Sequence, residues 1–365
     1  MDRLTKLIVT IAFPIALVAY PLTILLPVEH YEIENVPVDP PQIGSDDLTS
    51  YTAYREFLSF VRQASPMRAL LIRSAATLDF KVFGDSPDPT RVLRGTEGWL
   101  YFRASMENPC SASPDQVMAN VEDFLDRLEA DVPVVVFTIA PSKFVIHPEH
   151  MTPDQIRFSE CAMQAGAKLR ALMAQSSLSR YVDSWELFEQ QKSDSAQTYF
   201  RTDTHFDFEA SIPWIKELID EVDTVWDPKA VRHLGTTLWL GNLTRFIGLD
   251  TPEEVEHVVV QRNLSTTRTE VRPRITHYGH TGEDALIPGK TLVLGDSFME
   301  IPEESLVQYF ADVTVVDWRA DGGIEYFLDQ LATSSVVIIE VSEMDVWERF
   351  ADSSLLAAYE SRASD

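Results

Sequence analysis

The run VPVVVFTIA, residues 132–140, constrains the fold more than any other stretch: it is apolar apart from Thr138 and rich in β-branched residues. A strand with one face in water alternates polar and apolar side chains. An unbroken apolar run belongs to a strand buried on both faces, the situation of a parallel sheet covered on both sides by helices. Runs of the same kind recur at TLVLG (291–295), VTVVDW (313–318) and SVVIIEVS (335–342). Between them PDQVMANVEDFLDRLEA, DQIRFSECAMQAGAKLRALMAQ, EESLVQYFA and IEYFLDQLAT carry apolar residues at helical spacing. The alternation predicts an α/β fold with a mostly parallel sheet flanked by helices.

Active sites of such sheets lie beyond the carboxyl ends of the strands. TLVLGDSFME occupies such a place: an apolar strand, a Gly, then Asp296 and Ser297, then a helix start. A serine there stands at the tip of a strand-to-helix turn, near backbone N–H groups suited to an oxyanion. Helix capping is the plainer use of Ser and Asp at this point. The chain holds its own control in a second Gly-Asp-Ser, Gly84-Asp85-Ser86. There Pro87 follows and disfavours helical geometry at Ser86, so GDSPDP reads as a turn and Ser297 is preferred as nucleophile. TYFRTDTHFDFEA (198–210) places Asp203 and His205 two residues apart, on one side of an extended segment. Asp203, His205 and Ser297 together supply the orienter, base and nucleophile that acyl transfer needs.

With 57 acidic against 30 basic residues the net charge is -27, which argues against nucleic acid as a partner. The N-terminus reads differently from the rest. Leu7 to Pro27 has no charged residue and is long enough to cross a bilayer, Arg3 and Lys6 precede it, and Val28 to Ser50 is acidic without Lys or Arg. The charge bias predicts a single-pass signal anchor, its short N-terminus cytoplasmic and the remainder outside; a cleaved signal peptide is the rival reading. In an exported chain the only two cysteines, Cys110 and Cys161, are candidates for a disulfide. The expected organisation is an anchor at 1–27, an acidic stalk with linker helices at 28–74, a catalytic domain at 75–350 and a tail at 351–365.

RVLRGTEGWLYF (91–102), IAPSKFVIHPEHM (139–151), YFRTDTHF (199–206) and LVLGDSF (292–298) resemble, in order, the blocks of the alginate O-acetyltransferase family, SGNH-hydrolase-like proteins of bacterial polysaccharide acetylation. The similarity covers roughly residues 75–350. It implies an SGNH-hydrolase-like domain in the periplasm, held at the inner membrane. Its Asp203, His205 and Ser297 would transfer acetyl, through an acetyl-serine, onto hydroxyls of an exopolysaccharide. It also implies a donor passed across the membrane by a membrane-bound O-acyltransferase, with no cofactor and no metal. The family's Trp after the His is Phe206 here, which would leave an aromatic shelf.

QRNLSTTRTEVRPRITHYGH (261–280) sets Arg262, Arg268, Arg272 and Arg274 against only Glu270 and leads toward Ser297. It reads as a guide for an anionic sugar chain or as a solvated basic loop, with Lys143 on the same rim. A polysaccharide O-acetylesterase and a non-catalytic polysaccharide-binding assembly subunit are the alternative readings of the whole.

Overall fold

The computed structural model describes residues 66–363, except 195, 196, 283 and 285, together with Arg55. The apolar span Leu7–Pro27 and the helical pattern YREFLSFVRQ lie outside these residues, apart from Arg55. No helix among the described residues is long and apolar enough to cross a membrane.

Two compact units divide the chain. The smaller comprises residues up to Val92 together with Asn242–Thr251. Its helix Pro66–Leu78 runs into a π-turn, Asp79–Phe83, and stops at Gly84, whose φ of 80° only glycine adopts without strain. Within this unit Arg73 pairs with Asp250 at 3.2 Å and Arg91 lies over the Phe246 ring.

The larger unit is Leu93–Gly241 with Pro252–Asp365. Among the described residues eleven strands form: β1 (Val92–Arg94, at the seam), β2 (Leu100–Phe102), β3 (Val134–Ala140), β4 (Tyr181–Val182), β5 (Val231–Trp239), β6 (Glu253–Val260), β7 (Leu264–Arg272), β8 (Ile275–Gly282), β9 (Ile287–Gly295), β10 (Phe310–Asp317) and β11 (Val336–Ser342). Seven make one sheet in the order β4-β3-β11-β9-β10-β8-β7. From β4 to β10 every pairing is parallel, and β8 and β7 then add an antiparallel hairpin. The sheet is therefore mixed. The expectation of a loop at 261–280 is corrected, since most of that segment is strand. Its alternation of Thr, Arg and Glu leaves β7 exposed almost throughout, and no apolar run betrays an edge strand of this kind.

The central strands explain their sequences. All seven residues of β11 are buried, as are the last six of β3 and the last five of β9. Helices Pro114–Asp131 and Ser184–Asp194 pack on β3, and Gly323–Gln330 packs on β9 and β10. Helix Pro153–Met173 opens on a capping box, with Thr152 accepting from the Gln155 amide while the Gln155 side chain accepts from the Thr152 amide. Cys110 and Cys161 are bonded, tying the turn Asn108–Cys110 to this helix. The segment read as a tail folds as helix Ser354–Ala363, which buries Leu355 and Tyr359.

Candidate active site

Between Thr198 and Asp207 the chain turns back on itself. Tyr199 bridges Phe206, the Phe200 amide donates to the His205 carbonyl, and the Asp207 amide donates to the Thr198 carbonyl. Two charged side chains hold the tip from opposite chemical sides. Glu253, at the start of β6, accepts from the amides of Arg201 (3.0 Å) and Thr202 (2.8 Å) and from the Thr202 hydroxyl (2.5 Å). Lys143, just after β3, donates to the carbonyls of Leu100 (2.7 Å), Arg201 (2.7 Å) and Asp203 (3.0 Å). Gly241 passes so close that a Cβ there would meet the Thr202 carbonyl oxygen at 2.1 Å, which requires glycine.

This frame fixes Asp203 and His205. Asp203 is 2% exposed and His205 6%. The Asp203 carboxylate accepts from His205 Nδ1 at 2.7 Å and from Trp239 Nε1 at 3.0 Å. Because a carboxylate can only accept, the His205 proton sits on Nδ1 and Nε2 keeps its lone pair. Nε2 is buried and has no hydrogen-bond partner. Burial opposes protonation of this ring, but the charge and hydrogen bond of Asp203 outweigh it and hold the pKa above the ordinary 6.5.

Phe298 meets the His205 ring edge-on at 4.8 Å between centroids, which brings the turn that carries Ser297 against that histidine. The turn begins where β9 ends at Gly295. Asp296 is buried; its carboxylate accepts from the Phe298 amide (2.8 Å) and from the Ser342 amide at the end of β11 (2.7 Å). The Asp296 amide in turn donates to Glu340 (2.9 Å), a fully buried side chain of β11. Burial and the neighbouring Asp296 charge push the Glu340 pKa well above its ordinary value. Ser297 opens a single 3-10 turn, Ser297–Glu300, in place of the expected helix start. The Phe298 amide is taken by the Asp296 carboxylate and the Met299 amide by the Asp296 carbonyl. The Ser297 amide is therefore the turn's candidate oxyanion donor. No hydrogen bond joins Ser297 to His205 Nε2.

The expected sugar-binding residues scatter. Lys143 is 4% exposed and cannot form a rim; it is a clamp beneath the Asp203 turn. Phe206 is fully buried among Phe188, Trp214 and Phe298, so it offers no shelf to a polymer. The Arg262 side chain is 6% exposed and lies over Tyr309, donating to the Gln308 carbonyl. Arg272 is exposed and reaches over the Tyr326 ring. Arg268 and Arg274 do share a wall with the serine turn, in a cavity of about 150 Å³ that Gly295, Asp296, Met299 and Glu300 also line.

Trp239, Glu253 and Glu340 belong to no motif in the sequence, and only the buried acid inside VVIIEVS leaves a sign there. The donor atoms of His147, Glu149 and His150 lie within 4.8 Å of one another, a spacing a metal ion would accept. However, the Lys192 ammonium occupies Glu149 at 2.6 Å, and the group reads as an ion pair with two histidines.

The mixed sheet, the serine turn beyond β9 and the Asp203–His205 pair define an SGNH-hydrolase-like α/β domain. The family described as "SGNH hydrolase-like domain, acetyltransferase AlgX" matches residues 92–336, and the chain belongs to it. Probable alginate O-acetylase AlgJ of Pseudomonas fluorescens is 24% identical over 255 residues, 66% of this chain and 61% of that protein, so the match spans less than two thirds of that relative. Among solved structures, PatB1 of Bacillus cereus with a sulfonyl adduct superposes with a TM-score of 0.52 at 14% identity, covering 72% of this chain and 100% of that one. The O-acetyltransferase domain of Pseudomonas putida AlgJ has a TM-score of 0.47 at 18% identity, covering 74% and 99%.

Proposed function

We propose that the chain is an O-acetyltransferase acting on hydroxyls of a polysaccharide, with Ser297 as nucleophile, His205 as general base and Asp203 as orienter. The observation that carries the reading is the Asp203–His205 bond, which leaves an unpartnered Nε2 beside the turn bearing Ser297. His205 Nε2 takes the Ser297 proton as Oγ bonds to the donor's acetyl carbon, and returns it to the leaving group as the donor's ester bond breaks. In the second half His205 takes the proton of a sugar hydroxyl, whose oxygen displaces Ser297 from the acetyl carbon. The Ser297 oxygen recovers a proton from His205. Each oxyanion formed on the way faces the Ser297 amide.

In this reading the domain works outside the cytoplasmic membrane, anchored by Leu7–Pro27, with its donor delivered by a membrane-bound O-acyltransferase. The N-terminal charge bias and the Cys110–Cys161 bond support that placement.

Intact-mass spectrometry after mixing with a soluble acetyl ester tests the chemistry. An adduct of one acetyl is expected, lost in Ser297→Ala and retained in Ser86→Ala. Transfer to added oligosaccharide indicates a transferase, free acetate alone an esterase. Turnover that persists in Ser297→Ala refutes the assignment.

A further inference from the structure

The cavity beside the serine turn holds more acid than the basic sequence around it suggests. Its wall carries Arg268 and Arg274, but also Asp296, Glu300, Glu303 and Asp317. Both arginines have local acidic neighbours. Arg274 pairs with Asp317 at 3.0 Å, and Arg319 pairs with the same Asp317 (2.6 Å) and with Glu300 (2.9 Å). Arg268 donates from Nε to the Tyr278 hydroxyl at 3.1 Å, and that hydroxyl donates to Glu303 at 2.5 Å. The other two arginines of the segment are not on the wall: Arg262 is buried over Tyr309 and Arg272 reaches over Tyr326.

The cavity adjoins the serine turn, with Met299 and Glu300 of that turn on its wall, while Ser297 and His205 do not line it. Gly295 and Asp296 line it and directly precede Ser297. At about 150 Å³ it has room for roughly one sugar ring. A neutral ring suits such a wall, because its hydroxyls donate to Glu300 and Glu303 and accept from Arg268. A uronate ring replaces a donor with a carboxylate that can only accept. That carboxylate would enter a wall whose four carboxylates, Asp296, Glu300, Glu303 and Asp317, outnumber the three arginines beside them, Arg268, Arg274 and Arg319, so like charges would repel it.

We propose that this cavity is the acceptor subsite and that it takes a neutral, hydroxyl-rich sugar ring and discriminates against uronates. The proposal rests on the acetyl-transfer reading above, but its test does not use acetyl transfer. Binding to the full-chain Ser297→Ala protein would be measured by saturation-transfer NMR and calorimetry. The probes are matched β-1,4-linked tetrasaccharides that differ only at C6: mannan against mannuronan, and cellulose against glucuronan. The neutral member of at least one pair should bind about tenfold or more tightly than its uronate, the scale of one poorly screened like-charge contact. Glu300→Gln with Glu303→Gln should narrow that gap by raising uronate affinity. A uronate that binds as tightly as its neutral partner, no binding by either pair, or a gap unchanged in the double variant overturns the proposal. Neutral binding with no acetyl transfer by the wild type leaves the subsite standing and removes the transferase reading instead.

Discussion

Lys143→Met separates a buried clamp from an ordinary core residue. The substitution keeps an unbranched apolar stem but deletes the ammonium, its three hydrogen bonds and its place over the Trp99 and Tyr101 rings. Hydrogen bonds to a charged donor contribute roughly 1.5–3 kcal/mol each. Against that, removing a buried ammonium relieves a desolvation penalty of several kcal/mol. Burial pushes the Lys143 pKa down to about 7, while the Glu253 and Asp203 charges favour its charged form. The Arg201 carbonyl keeps the Leu100 amide at 2.8 Å, so the loss falls on about two acceptors. Two deprived buried acceptors at about 1–3 kcal/mol each cost roughly 2–6 kcal/mol; relief of the ammonium's desolvation brings the net to roughly 2–4 kcal/mol, or about 5–10 °C in Tm for a unit of this size. Asp203 is one of the residues released, and about 1 Å of misplacement costs on the order of 100-fold in rate. The expected result is a variant folded at 25 °C by near-ultraviolet circular dichroism, with kcat for an acetyl ester down about 100-fold and KM little changed. Lys143→Arg should not rescue, because a planar fork does not reproduce three carbonyls converging on one nitrogen. A folded Lys143→Met that keeps kcat/KM within about threefold of wild type would falsify the positioning role.

The same geometry makes four further outcomes testable. As a base His205 must be neutral, so kcat/KM between pH 5 and 9 should rise through an apparent pKa above 6.5, and Asp203→Asn should move that limb down; the stability from the Asp203–His205 pair is full below 6.5 and is lost as pH rises through the raised pKa. Trp239→Phe keeps the stack on Phe200 at 4.9 Å but removes the donor to Asp203, and should lower kcat by roughly 10–100-fold, the equivalent of one hydrogen bond to a charged group. Glu340 has a raised folded pKa, so its contribution is present at low pH and lost as pH rises above 4.5; Glu340→Gln should therefore gain stability relative to wild type at pH 8 but not at pH 4, read by urea denaturation. Replacing Cys110 and Cys161 together by Ser should cost up to about 4 kcal/mol on the chain-entropy model, seen as a lower Tm with activity at 25 °C retained.

How much of the fold and the site is legible in the sequence depends on the range of the interaction. The central strands announce themselves because burial on both faces demands unbroken apolar runs, as in VVVFTIA and VVIIEVS. The Asp203–His205 pair is legible too, since its geometry is made within three residues of one turn. Glu253 leaves no signal, because its role is to accept from Arg201 and Thr202, fifty residues earlier in the chain. Lys143 misleads for the same reason: a lysine in a loop after a strand is usually solvated, and only the later Asp203 turn buries it.

The arginine segment shows why local charge misleads in an α/β sheet. Residues 261–280 read as basic, yet their partners are supplied from elsewhere: Asp317 from β10 for Arg274, Gln308 for Arg262, and Glu303, through Tyr278, for Arg268. Strands adjacent in space are far apart in sequence, so the charge of a hairpin is set by the strand it pairs with as much as by its own residues. Here β8 pairs with β10, and β10 with β9, so the chain that returns past Ser297 brings Asp296, Glu300, Glu303 and Asp317 to the wall the hairpin borders. A basic stretch marks a polyanion site only when its cations outnumber the carboxylates packed against it. On the cavity wall at the serine turn the carboxylates outnumber them.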